Sequence, residues 1–338
     1  MRKILVTGGA GYIGSHACKA LARAGYEPVC FDNLNTGHEA AVRFGPFERG
    51  DLMDAARVNA VFEKHKPVAV MHFAALSLVG QSVVDPGQYW RVNVTGALNL
   101  VEAAVAHGCK KFIFSSTCAT YGDQDGVTLD EGTPQFPINA YGASKLAIEH
   151  ILRDFHVSAG LEHVIFRYFN VAGSDPEGEI GEVHEPETHL IPLMLDAVAG
   201  RRPPMTLFGT DYETRDGTCV RDYVHVMDLV DAHLAGLRWL EDRRPSRVFC
   251  LGTGLGFSVR EVIAAAGVVT NLPVPVIEGP RRAGDAVSLI CGSSRAREDL
   301  GWEPLRSTLN QMIRDAWTWQ KAPRFGARAL SEGTARKG

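Results

Sequence analysis

A doubly wound α/β fold, in which a parallel sheet carries helices on both faces and is followed by a smaller C-terminal α/β lobe, is predicted for this chain by three observations. First, the apolar run Ile4-Leu5-Val6 enters a turn with glycines at 8, 11 and 14, and a proline-free stretch of helical composition follows over 12–24. Second, strand and helix patterns alternate through the first half, with apolar runs at 68–73 and 111–116 separated by an amphipathic stretch over 89–107. Third, this alternation gives way over 173–186 to Gly, Pro and Glu, the composition of a long irregular connection. The predicted division is 1–172 and 173–320, with a polar, frayed tail over 321–338.

The glycine turn is the most specific local feature. Gly8 permits the tight turn, Gly11 a close approach to a pyrophosphate, and Gly14 close packing of the helix. The free amides of Tyr12 and Ile13 in the helix's first turn then lie beneath two phosphates, which makes a Rossmann-type dinucleotide site. A second strand over 28–31 ends in Asp32, about 20 residues past the glycines, where a ribose-binding carboxylate belongs. Its charge repels a 2′-phosphate and no Arg occurs over 33–36, so the cofactor is expected to be NAD rather than NADP. Ligands gather at the carboxyl ends of such strands, which directs attention to Asp32-Asn33, Asp51-Leu52, Phe73-Ala74-Ala75 and Ser115-Ser116-Thr117. A helix over 141–157 and a strand over 164–170 complete the first domain. In the second, helices are expected at 190–199, 227–240, 258–266 and 307–319, with strands at 206–208, 248–251 and 274–277.

With 338 residues and 45% hydrophobic content the chain can bury a sizeable core. A net charge of −4 with dispersed Lys and Arg disfavours nucleic acid as a partner. The cysteines at 18, 30, 109, 118, 219, 250 and 291 form no CxxC pair, which suggests reduced thiols. No apolar run approaches membrane-span length, and only three apolar residues separate Met1-Arg2-Lys3 from the glycine turn. The expectation is a cytoplasmic protein with a small-molecule substrate.

Tyr141 and Lys145, four apart at the start of a predicted helix, share a face. A phenol with pKa about 10 is about 0.1% ionised at neutral pH, so it serves as a base only beside positive charge. Lys145 and an oxidised nicotinamide supply that charge, and the hydroxyl of Thr117 can bridge substrate and phenolate. The segments Thr7 to His16, Asp32-Asn33-Leu34, Phe112 to Gly122, Tyr141-Gly-Ala-Ser-Lys145, Arg167-Tyr-Phe-Asn170 and Asp216 to His225 carry a wider likeness. Through them the chain resembles the extended short-chain dehydrogenase/reductases, and most closely the UDP-glucose 4-epimerase family, up to Trp319.

The resemblance implies NAD-dependent C4 epimerisation of a UDP-sugar through a transient 4-keto intermediate, with catalytic residues Tyr141, Lys145 and Thr117. It extends the cofactor set to Asn93, Ser115 and Tyr168, beside Tyr141 and Lys145 themselves. On the substrate side it implies Thr117, Asn170, His189, Leu190, Phe208, Arg221, Arg282, Asp285 and Leu289, with Asn170, Arg221 and Arg282 on the diphosphate, Asp285 on its ribose and Phe208 at the uracil. Arginine suits two phosphates better than lysine. A homodimer built from the 89–107 and 141–157 helices is also implied.

Several positions depart from the family pattern. Thr117 stands for a Ser, Ser77 for a Lys on the cofactor side, and His189 for an Asn near the nucleotide. Leu289 occupies a variable position at the sugar pocket. UDP-pentose 4-epimerisation and a non-catalytic NAD-sensing role remain alternatives. Elimination, as in sugar-nucleotide 4,6-dehydratases, is disfavoured because Cys118-Ala119 stands where those enzymes carry Asp-Glu. His184, Glu185, Glu187 and His189 are metal-capable residues, but Pro186 breaks helical spacing among them, and no metal is expected.

Overall fold

The computed structural model describes residues 1–124, 126–282 and 286–326. Seven parallel strands form the main sheet: β1 (Lys3–Thr7), β2 (Glu27–Asp32), β3 (Phe47–Arg49), β4 (Ala69–His72), β5 (Lys111–Ser115), β6 (Glu162–Tyr168) and β7 (Arg247–Leu251). Their order is β7-β6-β5-β4-β1-β2-β3, which reverses between β1 and β4. Successive side chains of the central strands enter opposite cores. Ile4, Val6, Met71, Ile113, Val164 and Phe166 join one, Leu5, Val70, Phe112, Phe114 and Ile165 the other. Burial on both faces explains why these strands read as continuous apolar runs. Helices α1 (Tyr12–Arg23) and α5 (Val226–Glu241) cover the first face. Helices α2 (Ala55–His65), α3 (Gly96–Ala106) and α4 (Ala140–Ala159) cover the second.

Three features differ from the sequence expectation. The expected helix over 89–107 is composite, because Trp90–Thr95 adopts π-helical geometry between the short helix Pro86–Tyr89 and α3. The strand expected over 164–170 breaks at Phe169, so Asn170–Ala172 leaves the main sheet and pairs with Tyr223–His225. Strand β7 and helix α5 lie beyond residue 172 yet complete the main sheet and its helical layer, so a single cut at 172 separates strands that are hydrogen-bonded neighbours.

The rest of the second half forms the smaller lobe. Helices Leu190–Val198, Val259–Thr270 and Leu309–Lys321 share a core that includes Ile191, Met194, Leu195, Val262, Ala266, Met312 and Ile313. Ser258 and Glu261 start the second of these helices with a reciprocal capping box. Two small sheets flank this core: Met205–Phe208 pairs with Val276–Gly279, and Val220–Arg221 lies between Phe257–Ser258 and Ser288–Cys291. Residues 321–326 of the tail expected from 321 pack on the protein. There Phe325 is buried against Trp319 and beside His38, in an apolar cluster with Ala41 and Ile180. Among the described residues no helix is long and apolar enough to cross a membrane.

Candidate active site

The reversal of strand order between β1 and β4 opens a crevice at their carboxyl ends, the place where open α/β sheets bind ligands. The backbones are tightly joined there. The amides of Phe73 and Ala74 both donate to the Thr7 carbonyl, at 3.0 and 3.1 Å, and Thr7 Oγ1 lies 2.7 Å from His72 Nδ1. Gly8 takes a left-handed φ of +73°, and a side chain on it would meet the Ala74 amide nitrogen at 2.6 Å. A Cβ on Gly14 would lie 2.1 Å from the Gly8 carbonyl oxygen. Gly11 is the N-cap of α1 and contributes no capping side chain. The first-turn amides of Tyr12, Ile13 and Gly14 therefore face out of the helix end, where an anion can accept from them.

Asp32 is fixed at the end of β2, accepting from the amides of Ala10 at 3.0 Å and Leu34 at 2.8 Å. Burial raises its pKa, and those amides oppose the shift. Beside it Asn33 donates to Asp51 at 2.9 Å, so three of the expected ribose-end residues form one cluster.

Other expected cofactor residues turn their side chains elsewhere. The hydroxyl of Tyr12 donates to the Gly173 carbonyl at 2.6 Å, tying the glycine loop to the start of the interlobe connection and leaving only its backbone amide for a phosphate. Leu52 belongs to the apolar core, where it meets Gly96. Asn93, placed by the π-helical stretch, accepts from the Leu76 amide at 2.8 Å and donates to Leu76 O and Ser144 Oγ at 3.0 and 3.1 Å. It braces the loop after β4 against α4, and Ser77 is exposed on that loop. Phe73 packs 4.9 Å from the His233 ring, while Ala74 and Ala75 stay half-buried at the crevice.

The chemical groups converge at the end of β5. Asn139 caps α4 by accepting from the Gly142 amide at 2.9 Å, which sets Tyr141 and Lys145 on the inner face of its first turns. Gly142 allows α4 to sit against the Cys118–Thr120 turn, since a Cβ there would meet Ala119 O at 2.3 Å. That contact brings the phenol of Tyr141 beside the hydroxyl of Thr117. Thr117 Oγ1 is itself held by the Ala119 amide at 3.2 Å. Lys145 is buried and donates to Ser115 O at 2.9 Å; Ser115 Oγ pairs with Tyr168 Oη at 2.8 Å.

The electrostatics sharpen the assignment. Burial raises the Tyr141 phenol above its ordinary range, and the nearby Thr117 hydroxyl acts in the opposite direction. Burial lowers Lys145 to about 7. The phenol therefore stays protonated among the protein's own groups, and ionising it requires more positive charge in the crevice.

From the second lobe come Arg221, Leu289, Phe208 and Arg282. Strand register places Leu289 opposite Arg221, and Leu289 and Cys118 both pack against a buried cluster that includes Phe169. The guanidinium of Arg282 lies 5.7 Å from the centre of the Phe208 ring. Asn170 is the strand-register partner of Tyr223 at the lobe junction, and Leu190 is half-buried on the second lobe's core. His189 is turned away, its Nδ1 paired with Glu182. Asp285 lies outside the described residues.

A buried network below the site carried no local sequence signal. Ser116 Oγ donates to Glu149 at 2.7 Å, and Arg167 bridges Glu149, Gln135 and the hydroxyl of Tyr121. A carboxylate at 149, on the Lys145 face of α4, was the one available hint.

A model of the NAD dependent epimerase/dehydratase family matches residues 4–252, which include the glycine turn, Thr117, Tyr141, Lys145 and Arg221. The chain belongs to that family. Among relatives of this epimerase/dehydratase chain is the UDP-glucose 4-epimerase of Rhizobium leguminosarum bv. trifolii, 52% identical over 316 residues, covering 94% of this chain and 96% of the relative. The UDP-glucose 4-epimerase of Brucella ovis, solved in complex with NAD, superposes with a TM-score of 0.92 at 48% identity, covering 94% and 98% of the two chains. The enzyme of Stenotrophomonas maltophila, solved with NAD and formylated UDP-arabinopyranose, gives a TM-score of 0.92 at 38% identity and covers 98% and 100%.

Proposed function

We propose that this family member is a UDP-glucose 4-epimerase that interconverts UDP-glucose and UDP-galactose with bound NAD. The convergence of Tyr141, Thr117 and a buried Lys145 at the sheet's crevice carries this reading. The glycine loop, Asp32 and the outward amides of α1 suit the cofactor's pyrophosphate and ribose. When bound, NAD supplies the hydride acceptor and a positive charge.

Tyr141 then acts as general base toward the sugar 4-hydroxyl, with Thr117 Oγ1 orienting that hydroxyl and passing the proton. Lys145 adds positive charge at the site and holds the end of β5. The 4-keto sugar turns over about its diphosphate while Arg221 and Arg282 keep the nucleotide in place, and Tyr141 returns the proton to the product. Cys118, pushed up to about 12 by burial, offers no acid or base for elimination.

The sugar pocket sets the substrate range. Leu289, which packs with Cys118 against the cluster holding Phe169, is the residue proposed to limit that pocket. A panel of UDP-sugars assayed by product separation should show good turnover of UDP-glucose and UDP-galactose without net NADH, and poor turnover of UDP-N-acetylglucosamine. Leu289→Ser should raise kcat/KM for the N-acetyl sugar by about tenfold or more, the scale of a pocket gaining a few carbon-sized volumes. Leu289→Tyr should leave the hexose reaction largely intact. Preferential turnover of UDP-pentose would shift the reading to the pentose epimerases, and nucleotide binding without turnover to a sensor.

The active form is proposed to be a homodimer joined through α3 and α4. Half-buried Leu98, Val105, Leu146 and Ile151 lie on these helices, and Trp90 is exposed just before α3. Sedimentation at micromolar concentration should give twice the chain mass. A monomer alone would overturn this assignment.

A further inference from the structure

The connection that leads into helix Leu190–Val198 carries four side chains that the proposed reaction does not use. Sequence spacing argued against a metal because Pro186 rules out a helix there, but the segment is a loop, and a loop can bring ligands together without helical spacing. Glu182, His184, Glu187 and His189 each place one donor atom within 4.8 Å of all the others. Glu182 is nearly enclosed, with 5% of its side chain exposed, and Glu187 shows 11%.

The distances around His184 suit ligation better than hydrogen bonding. His184 Nδ1 lies 3.3 Å from Glu182 Oε1 and 3.6 Å from Glu187 Oε1, beyond the usual N–H···O range of about 2.7–3.2 Å. Ligand atoms around tetrahedral zinc, at bond lengths of about 2.0–2.2 Å, are separated by about 3.3–3.6 Å. His189 Nδ1 is hydrogen-bonded to the same Glu182 oxygen that His184 faces, a contact that an entering metal ion replaces and widens.

Two enclosed carboxylates this close need shared positive charge, which His184 and His189 supply when protonated and a metal ion supplies when it displaces those protons. A neighbouring trio shows the other way of meeting that need. Asp175, Glu177 and Glu179 surround the ammonium of Lys19 at 2.6, 3.0 and 2.7 Å. Among the described residues, no Lys or Arg forms an ion pair with Glu182 or Glu187.

The ligands are also held from outside. Glu187 accepts from the amides of Thr188 and His189 at 2.7 and 2.8 Å, the Trp319 indole donates to the Glu182 carbonyl at 3.1 Å, and the His184 ring meets Tyr12 edge-on. We propose that Glu182, His184, Glu187 and His189 bind one divalent transition-metal ion, zinc by donor set. Four protein donors complete a tetrahedral shell, so the ion is structural, with no open position for substrate. It clips the interlobe connection to the helix for which His189 is the N-cap.

The test uses the untagged full-length chain, dialysed against metal-free buffer, with metal content measured by mass spectrometry. About one zinc per chain is expected, the complement of a single closed site. After stripping with dipicolinate, added zinc should raise Tm as a ligand of the native state does. Added cobalt should give the intense visible absorption of a tetrahedral centre. His184→Ala and Glu187→Gln should lose both the metal and the zinc-dependent rise in Tm. If these variants do not fold, the cobalt spectrum of the stripped wild-type chain decides. A chain that is metal-free as purified and unresponsive to zinc or cobalt overturns the proposal, as does full metal retention by folded His184→Ala. Because these readouts do not involve sugar turnover, they stand or fall independently of the epimerase assignment.

Discussion

Tyr141→Phe is expected to lower kcat by about 10²–10⁴-fold, the usual contribution of a positioned general acid or base. The substitution removes one hydroxyl and keeps the ring, which meets Tyr89 edge-on at 6.4 Å, so the packing of α4 should survive. The lost atom is the one that lies beside the Thr117 hydroxyl. NAD content and Tm should therefore stay near wild type while turnover falls. The pH profile separates this role from a structural one. Burial holds the phenol above its ordinary range and a base must be ionised, so wild-type kcat should rise with pH up to the phenol's pKa in the complex. The residual activity of the variant should lack that rise. Near-normal turnover by Tyr141→Phe would remove Tyr141 from the mechanism.

The parts of the site that are local in sequence were legible in it. The glycine turn and Asp32 are read from one strand-helix-strand unit, and Tyr141 and Lys145 from a four-residue spacing, because in each case backbone geometry over a short span fixes the arrangement. Residues whose partners are remote were not legible. Asn93 has the properties of a ligand-facing amide, but its partners Leu76 and Ser144 are set by the loop after β4 and by α4. Its position also depends on a π-helical stretch that an apolar period does not encode. Likewise His189 pairs with Glu182 across a proline-containing loop for which no periodicity argument exists.

The fold divides in the same way. Apolar runs revealed the buried strands, but the return of β7 to the edge of the main sheet depends on a pairing with β6 from far along the chain. A linear parse at the Gly- and Pro-rich connection found where the chain leaves the first domain and missed where it comes back. The break at Phe169 is equally cryptic, since a strand that changes partners keeps the same alternation of residues on both sides.

Gly14→Ala is expected to have the second large effect, on cofactor binding. The added methyl would fall 2.1 Å from the Gly8 carbonyl oxygen and 2.7 Å from its carbon, and both are backbone atoms that cannot swing aside as a side chain can. Nor is the Gly8 carbonyl free to move. It accepts from the Gly11 amide at 3.1 Å, and Gly8 is anchored through its own amide to Phe31 O at 2.9 Å. Relief must therefore come from lifting α1 away from the turn, which displaces the first-turn amides expected to hold the pyrophosphate. Overpacking of this kind costs about 1–3 kcal/mol. Where the distortion falls on the bound state, that corresponds to a loss of about tenfold to a hundredfold in NAD affinity. Gly80→Ala is the control, because a Cβ there meets nothing within 4 Å. Fluorescence titration with NAD and thermal unfolding of both variants should show the loss in Gly14→Ala alone. Equal affinity in the two would mean that the turn relaxes without moving the helix, and that the amides of Tyr12 and Ile13 are not what hold the cofactor.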